Sequence, residues 1–253
     1  MAFSTEFSQE SLYARIDDTV RLCDKRNAPC FLGFLDLREQ AVARPYLEGH
    51  AQGSWVFYGG YEEAERCLLA LFPSYLLSDQ VDYPLCAVGF RYRPIAKLTH
   101  RDFLGTLLSL GIRRETVGDI LCGEGLSVVF LSREIAPFVC REIRKVGGEG
   151  VECIPDYVGD LPLSRSYEER HETVASPRLD TIVKALLHCS RESAAELIRT
   201  GAVSVDHRPT ESVSVQLTAP CTVSVRGSGR YLIDQIGPET KKGRLNLLAR
   251  KCI

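Results

Sequence analysis

The chain has 253 residues, 45% hydrophobic and 25% charged, which suits two or three globular domains and excludes a disordered chain. No apolar run approaches the ~18–20 residues of a membrane span, and the opening Met1-Ala2-Phe3-Ser4-Thr5-Glu6 lacks the basic then apolar pattern of a signal peptide, so a cytoplasmic protein without a membrane partner is expected. The net charge of −2 is unevenly placed: residues 176–253 carry 12 Lys+Arg against 7 Asp+Glu, or +5, and the remainder 19 against 26, or −7, which points an anionic partner at the C-terminal module.

Residues 8–26 set Leu12, Ile16, Val20 and Cys23 at helical spacing. A second helix starts at Asp36, with Glu39 three residues on completing a capping box. Trp55-Val56-Phe57-Tyr58 reads as a short strand closed by Gly59-Gly60, and residues 61–72 read as a helix ended before Pro73. Together these predict a mixed helical N-terminal domain over residues 1–78.

Residues 83–93 alternate like a strand, with Cys86, Val88, Phe90 and Tyr92 on one face. Thr99 caps a helix with Asp102 at its third position and Gly111 as its stop. Residues 117–122 and 126–131 are two strands around Gly123-Glu124-Gly125. Ser132 caps a helix to about residue 146, followed by Gly147-Gly148 and a strand over 151–154. The order β-α-β-β-α-β predicts a ferredoxin-like domain over 79–155, the order of many RNA-recognition modules. Its stacking signature is missing: residues 117–122 hold no aromatic, and the partner strand offers only Phe90 and Tyr92. Shape and phosphate contacts are therefore expected here, with His100 and Arg101 as the candidates.

Residues 156–175 turn polar, with Arg165, Glu168, Glu169, Arg170 and Glu172, and read as a linker. The last module, 176–253, begins with Ser176 as cap and Pro177 at the first helical position. Leu179, Ile182, Val183, Leu186 and Leu187 form a buried stripe, Ser190 caps a second helix with Ala194, Leu197 and Ile198 inward, and Gly201 ends it. Val203/Val205, Val213/Val215/Leu217 and Val223/Val225 alternate as three strands, with 230–236 and 244–250 as further ones. The architecture expected is two short helices on a small antiparallel sheet, and the whole chain is expected to be α+β.

The candidate RNA contacts follow from charge and position. Arg178, Arg191 and Arg199 lie near helix ends, where guanidinium forks hold phosphate oxygens, and the amides after Ser190 add the positive end of a helix dipole. Lys184 joins them from the first helix. Arg226-Gly227-Ser228-Gly229-Arg230 joins two strands, its glycines Gly227 and Gly229 allowing close backbone approach, and Lys241-Lys242-Gly243-Arg244 is a second basic turn. No two of the ten cysteines lie two to four residues apart, so reduced structural thiols are expected and neither a metal nor any other cofactor.

Arg178-Leu179-Asp180, Ser190-Arg191, Ala194, Leu197-Ile198, Gly201, Val203 and Val205 resemble the RNA-binding domain of ribosomal small-subunit protein four, the S4-like domain. Two departures lie in sheet loops: Asp206-His207 stands where Asn-Gly is usual, and Ala219-Pro220 where a Gly-Asp turn is usual. The rest resembles the YlmH-like family, through Gly59-Gly60-Tyr61, Ala64-Glu65-Arg66, the run Leu98-Thr99-His100-Arg101-Asp102-Phe103-Leu104-Gly105, Leu110-Gly111-Ile112-Arg113, Gly118-Asp119-Ile120 and the two basic turns. The resemblance implies a non-catalytic RNA binder, expected to be monomeric and to take no small-molecule substrate. Its implied partners are rRNA of the large ribosomal subunit and peptidyl-tRNA, in rescue of stalled translation. Two alternatives stand beside it. One is an RNA-modifying enzyme like the pseudouridine synthases, with Asp180 or Asp102 as its acid. The other is an adaptor for division proteins. His100-Arg101-Asp102 also resembles a kinase catalytic loop, but Leu107 stands where that loop needs a magnesium-binding asparagine.

Overall fold

The computed structural model describes residues 8–51, 53–163, 167–240 and 243–252, and the chain divides into two compact units, Met1–Ser164 and Arg165–Ile253. In the first unit, α1 (Gln9–Arg26) is capped by Ser8, whose side chain accepts from Ser11 N, and closes on Asn27 at φ 48°. Strand β1 (Cys30–Leu35) follows. Asp36 then caps α2 (Leu37–His50): Glu39 N donates to Asp36 Oδ1 at 2.9 Å and Asp36 N to Glu39 Oε2 at 2.8 Å, the expected reciprocal box. Strands β2 (Ser54–Tyr58) and β3 (Cys67–Phe72) complete an antiparallel sheet in the order β1-β3-β2. The helix expected over 61–72 is thus corrected to a loop and the central strand. All six residues of β3 are buried: Leu69 and Leu71 pack with Leu12 and Ile16 on one face, Ala70 and Phe72 with Val81 on the other. A strand covered on both faces shows a continuous apolar run, which periodicity cannot separate from a buried helix.

The unit continues with β4 (Leu85–Arg91), α3 (His100–Ser109), β5 (Val117–Cys122), β6 (Leu126–Ser132), α4 (Ala136–Glu142), the short hairpin β7 (Lys145–Val146) and β8 (Glu149–Gly150), and β9 (Glu152–Ile154). The sheet order β5-β6-β4-β9, antiparallel throughout, is the ferredoxin-like arrangement expected. The helix predicted from Ser132 to about 146 is shorter at both ends. Pro137 fits only a first turn, and the chain reverses at Gly147 and Gly148, both at positive φ, to close the β7–β8 hairpin.

One face of this sheet, with Val88, Phe90, Val129 and Leu131, packs on Phe103, Leu107 and Val139 of the helices. Phe90 and Tyr92, the only aromatics the expected RNA-stacking strands offered, are 0% and 6% exposed. The other face is covered as well. Phe130 stacks on Tyr61 with centroids 5.1 Å apart. Tyr157 N donates to Ala87 O at 2.8 Å, and its ring lies so close over Gly89 that a Cβ there would stand 2.8 Å from Tyr157 Cδ2. Neither face is free to stack bases.

The motifs Gly59-Gly60-Tyr61, Glu65-Arg66 and Gly118-Asp119 meet at one buried junction. Asp119, 9% exposed, accepts from Tyr61 Oη at 2.7 Å, Glu65 N at 2.7 Å and Arg66 N at 3.0 Å. Arg66 donates to Val117 O at 3.0 Å and Phe34 O at 2.9 Å, and Arg114 to Val117 O at 2.6 Å. Desolvation lowers the pKa of both arginines, that of Arg114 to about 10, against the opposing pull of the neighbouring carboxylates. A Cβ on Gly118 would lie 2.7 Å from Phe34 Cε1 and 3.0 Å from Phe130 Cβ. Gly118→Ala is therefore expected to destabilise the first unit by about 1–3 kcal/mol, the usual cost of overpacking. The check is a lowered urea midpoint at unchanged m; an unchanged midpoint would show that the two rings yield.

The second unit contains β10 (Tyr167–Val174), α5 (Leu179–Leu187), α6 (Arg191–Arg199), β11 (Val203–Val205), β12 (Arg208–Pro209), β13 (Cys221–Val225), β14 (Gly229–Glu239) and β15 (Leu245–Cys252). They form an antiparallel sheet in the order β10-β15-β14-β13-β11-β12, with a core that includes Leu179, Ile182, Ile198, Val223, Tyr231 and Leu247. Three corrections apply. Within the expected 156–175 linker, β10 pairs along its length with β15, from Tyr167↔Cys252 to Val174↔Leu245. As a charged edge strand with only Val174 buried, it carries no apolar pattern to find. The expected strand at Val213/Val215/Leu217 is instead an irregular segment holding the entry to α5: Leu179 N donates to Val215 O, and Leu217 N to Pro177 O, each at 2.8 Å. That pairing, with the bridge between Arg178 and Gln216, holds Arg178 extended, so α5 begins at Leu179 with Arg178, not Ser176, at the cap. Asp206 and His207 take the left-handed turn at φ 46° and 65°, and the Asp206 carboxylate steadies it by accepting from Thr222 N at 2.8 Å.

Candidate nucleic-acid interface

The second unit sorts the sequence-predicted contacts into three places. The first is built on Asp180, in the first turn of α5 and 3% exposed. Its Oδ1 accepts from Arg178 Nε at 3.0 Å and Thr181 N at 3.0 Å; its Oδ2 accepts from Arg191 Nε at 2.9 Å and Arg178 Nη2 at 3.3 Å. One buried carboxylate thus fixes two guanidinium groups thirteen residues apart and orients them. The arginines remain open to solvent, with side chains 32% and 63% exposed. Burial alone would raise the Asp180 pKa, but the hydrogen bonds from Arg178 and Arg191 outweigh it and hold the carboxyl below its ordinary value. Ser190 caps α6 beside this clamp, its Oγ accepting from Ser193 N at 3.0 Å.

The second place is a cleft of about 530 Å³ between α5 and the start of β15, into which Lys184 and Arg244 converge with Glu172, Thr181 and His188. Arg244 is held by a hydrogen bond to Thr173 O. His188 Nε2 lies 3.3 Å from Arg170 Nη1 and 3.5 Å from Glu172 Oε1. The third place is the far end of α6. Arg226 N donates to Ala202 O at 2.9 Å, which sets the Arg226–Gly229 turn against the residues that follow Arg199. Gly227 and Gly229 take φ of 81° and 106°, a conformation glycine alone adopts without strain, and Arg230 stands on β14 opposite Ser224. Arg199 and Arg226 are exposed. Along α6, Arg191 and Arg199 are separated by ~12 Å. Lys241 and Lys242 lie outside the described residues.

His100 and Arg101 belong to the first unit, at the start of α3. Arg101 is exposed. Desolvation of the His100 ring and then the Arg114 charge hold its pKa below the ordinary value. Asp102 is committed to the cap: its Oδ2 accepts from Thr99 N at 2.8 Å and Thr99 Oγ1 at 2.7 Å.

The role of Asp180 as an orienting group is what sequence reading missed, having weighed it only as a catalytic acid. The available signal was Arg-x-Asp at a helix start followed by an arginine at the start of the next helix. This arrangement presents two fixed guanidinium forks beside the capped start of α6. An arrangement of this kind can hold phosphate oxygens.

Residues 79–157 match the family described as "Putative RNA-binding domain in YlmH", and residues 177–220 match the S4 domain. The S4 match spans both helices and the Asp180 clamp and ends before the glycine turn. Over 213 residues the chain is 32% identical to "Ribosome-associated protein quality control protein P2" of Bacillus subtilis (strain 168), covering 83% of this chain and 82% of the relative. In fold it is similar to "Cell division protein ylmH from Streptococcus pneumoniae", with a TM-score of 0.51 at 20% identity over 61% of this chain and 93% of that one.

Proposed function

The chain belongs to the YlmH-like family of RNA-binding proteins, and on that premise we propose that it binds rRNA of the large ribosomal subunit together with peptidyl-tRNA. It acts in the cytoplasm, without catalysis, in rescue or quality control of stalled translation. The observation that carries this reading is the pair of solvent-open arginines held on buried Asp180 beside the capped start of α6. Oriented guanidinium forks and helix amides suit phosphate oxygens, which give affinity without base specificity. The ribosome-associated name of the Bacillus relative supports the choice of partner. The modifying-enzyme alternative loses support, because both carboxylates it would use are engaged, Asp180 by two arginines and Asp102 by Thr99.

The test is a salt titration of binding to large ribosomal subunits. With about five cationic groups each neutralising one phosphate, log affinity is expected to fall against log salt with a slope of roughly −3 to −5. A slope near zero, or base changes in the bound rRNA found by mass spectrometry, would overturn the proposal.

A further inference from the structure

Residues 79–157 hold ten Lys and Arg, and they sort by partner. Five pair with carboxylates, among them Arg91 with Glu152 and Arg93 with Glu149. Arg114 donates to the carbonyls of Val117 and Gly118. Four remain, Lys97, Arg101, Arg144 and Lys145, all exposed, and among the described residues none of them pairs with a carboxylate. Three segments that meet at one end of the domain carry these four. Loop 93–99 brings Lys97 to α3, and Arg93 ties the start of that loop to β8 by donating to both Glu149 oxygens at 2.6 Å. The first turn of α3 carries Arg101. The β7–β8 hairpin, which Lys145 opens and Arg144 precedes, sets its tip against that same turn: a Cβ on Gly147 would lie 3.3 Å from Asp102 Cγ. The carboxylates of these segments are already engaged, Asp102 by Thr99, Glu149 by Arg93 and Glu152 by Arg91.

A second observation lies on α3 itself. Phe103 and Leu107 turn inward to the core, and Gly105 stands exposed on the outward face, one helical turn beyond Arg101. A Cβ there would meet nothing within 4 Å, and no left-handed φ requires glycine. Inside a helix glycine is less stable than alanine, so a bare surface at this point has a use outside the domain: it lets the backbone of a partner come close. We propose, on the reading of the chain as an RNA binder, that the outward face of α3 with loop 93–99 and the β7–β8 hairpin is the RNA surface of the ferredoxin-like domain. Lys97, Arg101, Arg144 and Lys145 hold phosphates of a sugar-phosphate backbone that runs past Gly105. Both faces of the sheet are covered, so RNA is taken on the helix layer and not on the strands. Cations without a counter-charge suit phosphate oxygens and ask for no particular base. The match of residues 79–157 to an RNA-binding family favours RNA over an acidic protein as the occupant.

The test measures binding of the full chain to large ribosomal subunits and to protein-free rRNA extracted from them. Lys97→Ala, Arg101→Ala and Lys145→Ala combined are expected to weaken both by at least about tenfold. The salt slope should become shallower by about 2.1–2.7, which is 0.7–0.9 for each phosphate released. The urea midpoint, read from Trp55, the single tryptophan of the chain, should not move. Gly105→Leu removes no charge and adds a better helix former, so its midpoint should hold or rise while binding still weakens by about tenfold. Binding by the triple variant like that of the unaltered chain overturns this surface and leaves the Asp180 clamp standing. Unaltered binding by Gly105→Leu overturns the close approach over α3. A loss on subunits with none on protein-free rRNA assigns the surface to a ribosomal protein and overturns the proposal as well. Failure of the unaltered chain to bind either target overturns the RNA-binding reading itself, and this surface with it.

Discussion

Asp119→Ala is expected to cost the first unit about 3–5 kcal/mol, the largest effect of any single substitution at the junction. The carboxylate accepts three hydrogen bonds, two of them from the backbone amides of Glu65 and Arg66. Those amides cannot be repacked as apolar groups, and each buried donor left without an acceptor costs about 1–3 kcal/mol. Asp119 is also among the opposite charges that support Arg66 and Arg114, whose desolvation already opposes their charged form. Asp119→Asn keeps the shape and one acceptor oxygen but turns an amide donor either toward Glu65 N and the Tyr61 hydroxyl or toward Arg66 N, so an intermediate loss is expected. Urea unfolding followed at Trp55, in the same unit, reads both variants. A loss below about 1 kcal/mol for the alanine variant would mean that water replaces the carboxylate and that the junction is not the weld described.

How much of this was legible in the sequence depends on the range of the cause. Asp36 and Thr99 announced two helices because a cap acts on residues within one turn of itself, and α1 was announced by its own apolar spacing. The ferredoxin-like order was legible because each strand of 83–154 is bounded by local turn residues. Several elements were not, β1, β3 and β10 among them. Strand β1 carries Gly33 inside an apolar run, and that glycine is required by a distant neighbour: a Cβ there would stand 2.6 Å from Glu115 O. Strand β3 is masked by its own burial on both faces, and β10 by having one buried residue in eight. The candidate interface divides in the same way. Arg178 and Arg191 were visible as cations at helix starts, whereas their union on Asp180 depends on the turn between α5 and α6. Lys184 and Arg244 share a cleft only because β15 pairs with β10. Local chemistry proposed the charges, and tertiary pairing decided which of them act together.

The clamp yields the second large effect. Arg178→Ala combined with Arg191→Ala is expected to weaken binding to large ribosomal subunits by roughly 10²- to 10⁴-fold, since each charge-assisted contact is worth about 1.5–3 kcal/mol and about 1.4 kcal/mol is tenfold. The salt slope should become shallower by about 1.4–1.8, which is 0.7–0.9 for each phosphate released. Asp180→Asn separates charge from orientation. It removes a negative charge from a surface facing RNA, so if charge alone mattered, affinity would rise. It also releases the carboxylate that both guanidinium groups share, so a positioning role predicts weaker binding at a salt slope that is unchanged or steeper. The pH dependence has a definite sign. Because the folded Asp180 pKa lies below its ordinary value of 3.8, the stability it contributes is fully present above that value and is lost as pH falls through the folded pKa. Clamp stability should therefore be flat from about pH 8 down to about pH 5 and decline only in stronger acid, and Asp180→Asn should remove that acid-side decline. Tighter binding by Asp180→Asn would sink the orienting role and leave the two arginines as independent surface charges.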